Sequence, residues 1–295
     1  TDITIMDDSQ SFQKPTVGGH LAAKSLIDSE RYDEAASVLS LLLEEARSNP
    51  SLSEEEFRET LNLQRHLSSI YEEQGDYEKA TSLLIDLCKI QSNVPDDDDP
   101  GILKTKIKLI SLLQKQGKLE EALDLGFQSL TGPNSEDRIQ IQKQVAYLLV
   151  HLHRVPEAIN QLEQVLEKEK EIFWNSSPEV ISTQKTLASL LSSEGYFERT
   201  RQLLTELLES LRKSLGQDHL EVVGTLENIA AVLASQGRYR EGLKSLEEVL
   251  GLREKIQSRN HPDTLSTLQS MSVIMSSLGD HERAANILNE VHSVR

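Results

Sequence analysis

Few residues in this chain have the type and spacing that chemistry needs. A thiol nucleophile would have to be Cys88, the single cysteine among 295 residues. It lies on the apolar side of a helical pattern, which suits a core thiol rather than an activated thiolate. The eight histidines are scattered. His151 and His153 are two apart, so they point to different faces of a helix end and make a poor metal pair. Asp96 to Asp99 form a run of four carboxylates, but the alternating spacing and terminal Glu of a calcium loop are missing. That run reads as a solvated loop, with Asp99 capping a helix whose first residue is Pro100. Trp174 closes a long helical pattern and is expected to make a packing or terminal contact. The sequence has no GxSxG, no HExxH, no phosphate loop ending in Lys-Ser/Thr and no paired-cysteine zinc motif. The expectation is a chain without catalytic residues, cofactor or metal, and not an enzyme.

Composition narrows the class further. Hydrophobic residues make up 37% and aromatic residues only 4%, few for a globule of this size. A repeat array needs fewer large core residues, because each unit packs only on its neighbours. Pro and Gly are sparse and period-2 apolar runs are missing, which argues all-α. The net charge of −17 opposes general attraction to nucleic acid or anionic lipid. No apolar run approaches the roughly 18 residues of a membrane span, and no signal peptide is visible. A single cysteine fits an intracellular chain. The cytoplasm is the expected place, or an organellar lumen if a transit segment ahead of Thr1 has been removed.

One pattern recurs along the chain: a turn residue, usually Gly, then a large apolar residue two places on and a small residue five places on. It reads Gly75-Asp76-Tyr77-Glu78-Lys79-Ala80, then Gly117 to Ala122, Gly195 to Thr200, Gly237 to Gly242 and Gly279 to Ala284. Degenerate copies run from Glu30 to Ala35 and from His153 to Ala158. The small residues fall at 35, 80, 122, 158, 200, 242 and 284, so the last three steps are each 42. A fixed period of this size marks a solenoid. Gly permits the positive φ at which one helix stops and the next turns back. The large residue plugs the gap between the two helices, and the small one lets them approach. Apolar residues at helical spacing flank each turn, such as Leu226, Ile229, Ala230 and Leu233 before Gly237, and Leu243, Leu246, Val249 and Leu250 after it.

These residues resemble the tetratricopeptide repeat family over residues 17–294. The 42-residue period, with the connectors Leu215-Gly216-Gln217-Asp218-His219 and Asn260-His261-Pro262-Asp263-Thr264, is similar to the kinesin light chain and nephrocystin repeats. Armadillo and HEAT arrays also have periods in the forties, but the Gly-x-aromatic turn and the two-helix count fit them less well. The resemblance implies an all-α, right-handed α-solenoid superhelix of about seven helix-turn-helix repeats. The expected organisation is a disordered or extended segment over 1–16, then one array over 17–295. Its repeats fall at about 17–50, 53–94, 99–132, 135–175, 177–216, 219–258 and 261–295. Thr131-Gly132-Pro133-Asn134 is expected to stop the second helix of the third repeat early.

In such arrays the first helix of each repeat lines a concave surface, where the family binds extended peptides. Positions 13, 10, 9, 6, 3 and 2 residues before each turn residue form one stripe opposite the packed face. In repeats 2 to 5 this stripe includes Arg65, His66, Lys104, Lys108, Lys115, Lys143, Tyr147 and Lys185. Six of its twenty-four positions are basic and two acidic, against 31 basic and 48 acidic residues in the whole chain. In repeats 6 and 7 the stripe is small, polar and nearly uncharged. Asn228 matches the groove Asn of the kinesin light chain repeat, which the resemblance implies hydrogen-bonds a ligand backbone. The sister positions are His66, Lys108, Gln144, Thr186 and Ser270, so most of that Asn ladder is missing.

The expected function is therefore a scaffold or adaptor whose groove binds an extended, acidic peptide segment of a protein partner. The second reading is an assembly or regulatory scaffold, acting through its acidic outer face or by homo-oligomerisation of the terminal repeats. In that reading Ile287, Leu288 and Val291 are expected to be exposed on the last helix. Single-stranded RNA binding ranks below both, because the groove lacks stacking aromatics apart from Tyr147.

Overall fold

The computed structural model describes residues 19–48, 54–91, 100–174 and 177–294. The segment 1–16 and the Asp96–Asp99 run lie outside the described residues. Among the described residues there are fourteen helices and no strand. They divide into two compact units, Thr1–His153 and Arg154–Arg295.

The first unit holds α1 (Gly19–Asp28), α2 (Tyr32–Ser48), α3 (Glu54–Glu73), α4 (Tyr77–Gln91), α5 (Pro100–Lys115), α6 (Leu119–Gln128) and α7 (Glu136–His151). The second holds α8 (Val155–Ile172), α9 (Pro178–Ser193), α10 (Phe197–Leu215), α11 (Leu220–Ser235), α12 (Tyr239–Ile256), α13 (Pro262–Ser277) and α14 (His281–Val294). In each unit consecutive helices pack as stacked hairpins, with α3 on α4, α4 on α5, α11 on α12 and α12 on α13. This is α-solenoid architecture. No helix among the described residues is long and apolar enough to cross a membrane.

The recurring pattern explains each hairpin. Every second helix begins on the large residue of the pattern: Tyr32, Tyr77, Leu119, Val155, Phe197, Tyr239 and His281. The turn glycines take φ between 72 and 85°, so their amides and the next ones can bond back onto the first helix. Gly75 N donates to Glu72 O at 3.1 Å and Asp76 N to Tyr71 O at 2.9 Å, which satisfies carbonyls that a helix end leaves open. The small residues are sealed in: Ala35, Ala80, Ala122 and Ala158 are fully buried, Thr200 and Ala284 nearly so, and Gly242 is buried too.

The degenerate turns keep the conformation without the glycine. Glu30 has φ 61° and His153 φ 59°, a region in which L-residues cost about 1–2 kcal/mol. At Glu30 the packing of α1 on α2 outweighs the local preference.

The third repeat is short, as the sequence predicts. Its second helix, α6, has 10 residues, where α8, α10 and α12 have 18 or 19. The helix stops at Gln128, ahead of the Thr131–Asn134 segment, and the Ser129 amide bonds back to Leu125 O. Inside α6, Gly126 is buried, and a Cβ there would stand 2.5 Å from Val145 Cγ2 of α7. The mid-helix glycine therefore lets α7 approach.

Helix starts are capped by side chains. Ser135 Oγ accepts from Arg138 N and Ser177 Oγ from Val180 N, each at 3.3 Å. In the two connectors picked out by sequence, His219 Nδ1 accepts from Glu221 N and His261 Nδ1 from Asp263 N, each at 3.2 Å. These two histidines are helix caps.

Two expectations are corrected. Val291 is fully buried, not exposed, because it closes a core cluster with Leu265, Leu268, Ile274 and Ala284. Ile287 is half-buried against the same cluster, and only Leu288 faces solvent. Trp174 makes no packing contact of the kind expected, since it lies beyond the end of α8 and is 87% exposed.

Two substitutions test these packing arguments. Gly126→Ala should push against Val145 and destabilise the chain by about 1–3 kcal/mol. His153→Gly should relieve the left-handed turn and stabilise by roughly 0.5–1 kcal/mol, the steric relief less the entropy glycine loses on folding. Urea denaturation midpoints followed by circular dichroism measure both.

Candidate partner-binding face

The first helix of each repeat presents one face that the chain leaves uncovered. None of the thirty-six stripe positions on α3, α5, α7, α9, α11 and α13 is buried. Neighbours one residue away, such as Leu67, Leu148 and Ile229, are buried. The face is thus set by helical period alone.

In the first unit this face is laced together. Arg65 donates to Asn62 Oδ1 at 3.0 Å, Gly101 O at 3.1 Å and Thr105 Oγ1 at 3.2 Å, tying α3 to the start of α5. Lys108 donates to the Ser69 hydroxyl and pairs with Glu72 Oε2 at 3.3 Å. Lys115 pairs with Glu72 Oε1 at 2.6 Å, and its ammonium lies 6.0 Å from the Tyr77 ring centroid. The Glu72 carboxyl is held below its ordinary value, first by the hydrogen bond from Lys115 and then by that from Lys108, against its own desolvation. Gln144 of α7 donates to Ser111 Oγ at 2.7 Å and Ile107 O at 3.2 Å on α5. Lys143 is half-buried, while His66, Lys104 and Tyr147 are exposed. Lys104 has no ion-pair partner among the described residues. The basic stripe is therefore partly neutralised by Glu72, a stripe residue itself.

The second unit differs. Here α9 and α11 both pack on α10, and α11 and α13 both pack on α12, with a cleft between each pair of first helices. One cavity, of about 390 Å³, is lined by Lys185, Ala188 and Ser189 of α9, Asn228 and Ala231 of α11, and Leu204 of α10. The other, of about 480 Å³, is lined by Asn228, Ala231 and Ala234 of α11, Ser270 and Val273 of α13, and Arg253 of α12. Asn228 and Ala231 line both. Lys185 reaches the Glu221 carboxylate at the start of α11.

The clefts have a simple cause three residues before each turn. That position holds Glu72, Gln114 and Val150 in the first unit, but Ser192, Ala234 and Ser276 in the second. Small side chains leave the space empty. Of the residues expected at the site, Lys108 and Lys115 meet at Glu72, and Lys185 and Asn228 share a cavity wall. Sequence reasoning missed Arg253, which lies on a second helix and reaches between first helices. Its signal, a basic residue 26 positions after Glu227, has no recognisable spacing.

Cys88 is half-buried, and burial pushes its thiol up to about 11, away from the reactive thiolate.

Uncovered first helices on stacked hairpins define a class of helical-repeat protein with one packed face and one face left to solvent. Residues 221–295 match the tetratricopeptide repeat family. Solved structures extend the likeness in fold. An array of nearly identical TPR-like repeats, described as a kinesin light chain of Podosopora anserina, is 22% identical with a TM-score of 0.57, over 67% of this chain and 96% of that one. BtubC (BKLC) from P. vanneervenii is 18% identical with a TM-score of 0.55, over 74% and 91%. The STAND protein of Pyrococcus horikoshii with a tetratricopeptide repeat sensor is 13% identical with a TM-score of 0.60, over 93% and 41%. No curated protein sequence matches the chain. The family match thus covers residues 221–295, and the solved structures show a likeness of fold to kinesin light chain-like repeat arrays.

The Glu72 cluster predicts a pH dependence. A carboxyl held below its ordinary value of 4.5 contributes stability in full above that pH and loses it as pH falls further. Glu72→Gln should cost about 1 kcal/mol at pH 7. The difference from wild type should shrink progressively below pH 4.5, read from urea midpoints at both pH values.

Proposed function

We propose that the chain is a protein-interaction adaptor that holds an extended segment of a partner protein on its first-helix face. The observation that carries this reading is the uncovered stripe: every counted position is left accessible, although residues beside it are sealed in the core. Exposed polar groups on a rigid, repeated frame suit a ligand laid along them.

The acidic preference belongs to the first unit. Lys104 offers an uncommitted ammonium, and Lys108 and Lys115 share one counter-ion, Glu72. Two positive charges against one negative leave that cluster cationic, so carboxylates of a partner are attracted. Each exposed pair contributes only about 0–1 kcal/mol, so affinity rests on several acting together and falls with salt. In the second unit Asn228 is exposed and lines both cavities, which supports a role for its side-chain amide in bonding a ligand backbone.

Charge reversal tests the acidic-segment reading. Lys104→Glu, Lys108→Glu, Lys143→Glu and Lys185→Glu together should remove most captured partners in a pull-down read by mass spectrometry, and wild-type capture should weaken between 50 and 300 mM salt, conditions about twofold apart in Debye length. An unchanged partner set would sink it.

A further inference from the structure

The cavity between α11 and α13 carries a charge arrangement opposite to that of the first unit. Its wall includes Glu227, Arg253 and Asp263. The Arg253 side chain is only 12% exposed and bridges both acids, with Nη2 at 2.8 Å from Glu227 Oε2 and Nη1 at 3.2 Å from Asp263 Oδ2. Thr267 Oγ1 lies 3.0 Å from Glu227 Oε1 and donates to it or to Asp263 O. Two carboxylates share one guanidinium, so the cluster keeps one unit of negative charge.

The remaining valences decide which ligand fits. Arg253 has both terminal nitrogens engaged, and its Nε is buried with no hydrogen-bond partner. That Nε is sealed from solvent, and the excess negative charge of the cluster disfavours an anion. Asp263 is 60% exposed, and its Oδ1 receives no hydrogen bond from the described residues. The other lining residues named above are small or uncharged. The open acceptor and the excess charge both call for a cation.

We propose that this cavity is a side-chain pocket for a Lys or Arg of the bound segment, with Glu227 and Asp263 as its specificity residues. The proposal rests on the peptide-binding reading given above. The volume of about 480 Å³ holds a long cationic side chain, and Asn228 on its rim stands where the backbone would pass. Along an extended segment side chains alternate. The adjoining cavity, with Ala188, Leu204 and Val232 in its lining and Lys185 already paired with Glu221, suits an uncharged residue. The recognised pattern is thus a cationic residue close to a small uncharged one.

A positional-scanning array of immobilised random decapeptides, one position fixed at a time, probed with the intact chain, tests this. Pools with fixed Lys or Arg should bind wild type about five- to tenfold better than Ala pools at one position. Asp263→Asn should reduce that preference, and Glu227→Gln with Asp263→Asn should abolish it and favour Asp or Glu, because Arg253 then lacks counter-ions. Asp263→Asn is expected to fold, since the backbone amide rather than the side chain serves the His261 cap; its far-ultraviolet dichroism and melting midpoint check this. Selective binding without a cationic preference, or a preference unchanged in Asp263→Asn and in the double variant, overturns the pocket and leaves the groove reading standing. No enriched pool at any position overturns both.

Discussion

Each hairpin depends on one close approach, where a small residue five places after the turn meets the preceding helix. Ala35, Ala80 and Ala122 are fully buried there. At Gly242 a Cβ would come within 3.2 Å of the Ala230 carbonyl oxygen. A larger side chain at such a point would part the helices and open the core on either side. The positive φ of the turn and the large residue at the start of the second helix serve the same contact. Once it is made, the packed faces of both helices are committed, and the opposite face of the first helix is left for solvent or a ligand.

What that free face becomes is decided by residues that play no part in the hairpin. In the first unit long side chains cross between first helices, and Glu72 collects two lysines. In the second unit Ser192 and Ala234 are too short to cross, and the space appears as two cavities meeting at Asn228. One scaffold therefore carries two surfaces: a polar face tied across by ion pairs, and a cleft open enough to admit side chains. Charge follows the same division. The chain is strongly acidic overall, yet the first unit gathers cations on its free face while the α11–α13 cleft keeps an excess carboxylate. A repeat array separates such functions easily, because each unit packs only on its neighbours and stripe residues vary without disturbing the core.

Much of the fold was legible in the residues themselves. The turn pattern located every hairpin, since a left-handed turn, a plug and a small residue are local demands written within six positions. The short α6 followed from the Thr131–Asn134 breaker, and the uncovered face followed from helical period. Glu30 shows where local preference yields: the packed α1–α2 hairpin holds it in a conformation its side chain disfavours. Val291 and Trp174 went the other way from expectation, because burial of a terminal residue depends on which neighbours close over it.

By itself the sequence determined the repeat, the all-helical class and the stripe that faces outward, all consequences of spacing along one chain. Only the tertiary structure decided which stripe charges are already spent on each other, that Lys108 and Lys115 share Glu72, and that Arg253 bridges Glu227 and Asp263. Those pairings join residues 26 to 43 positions apart in three of four cases; Arg253 and Asp263 also sit on different helices. Ion pairs form through space, and a periodicity argument fixes the direction of a side chain but not what stands opposite it.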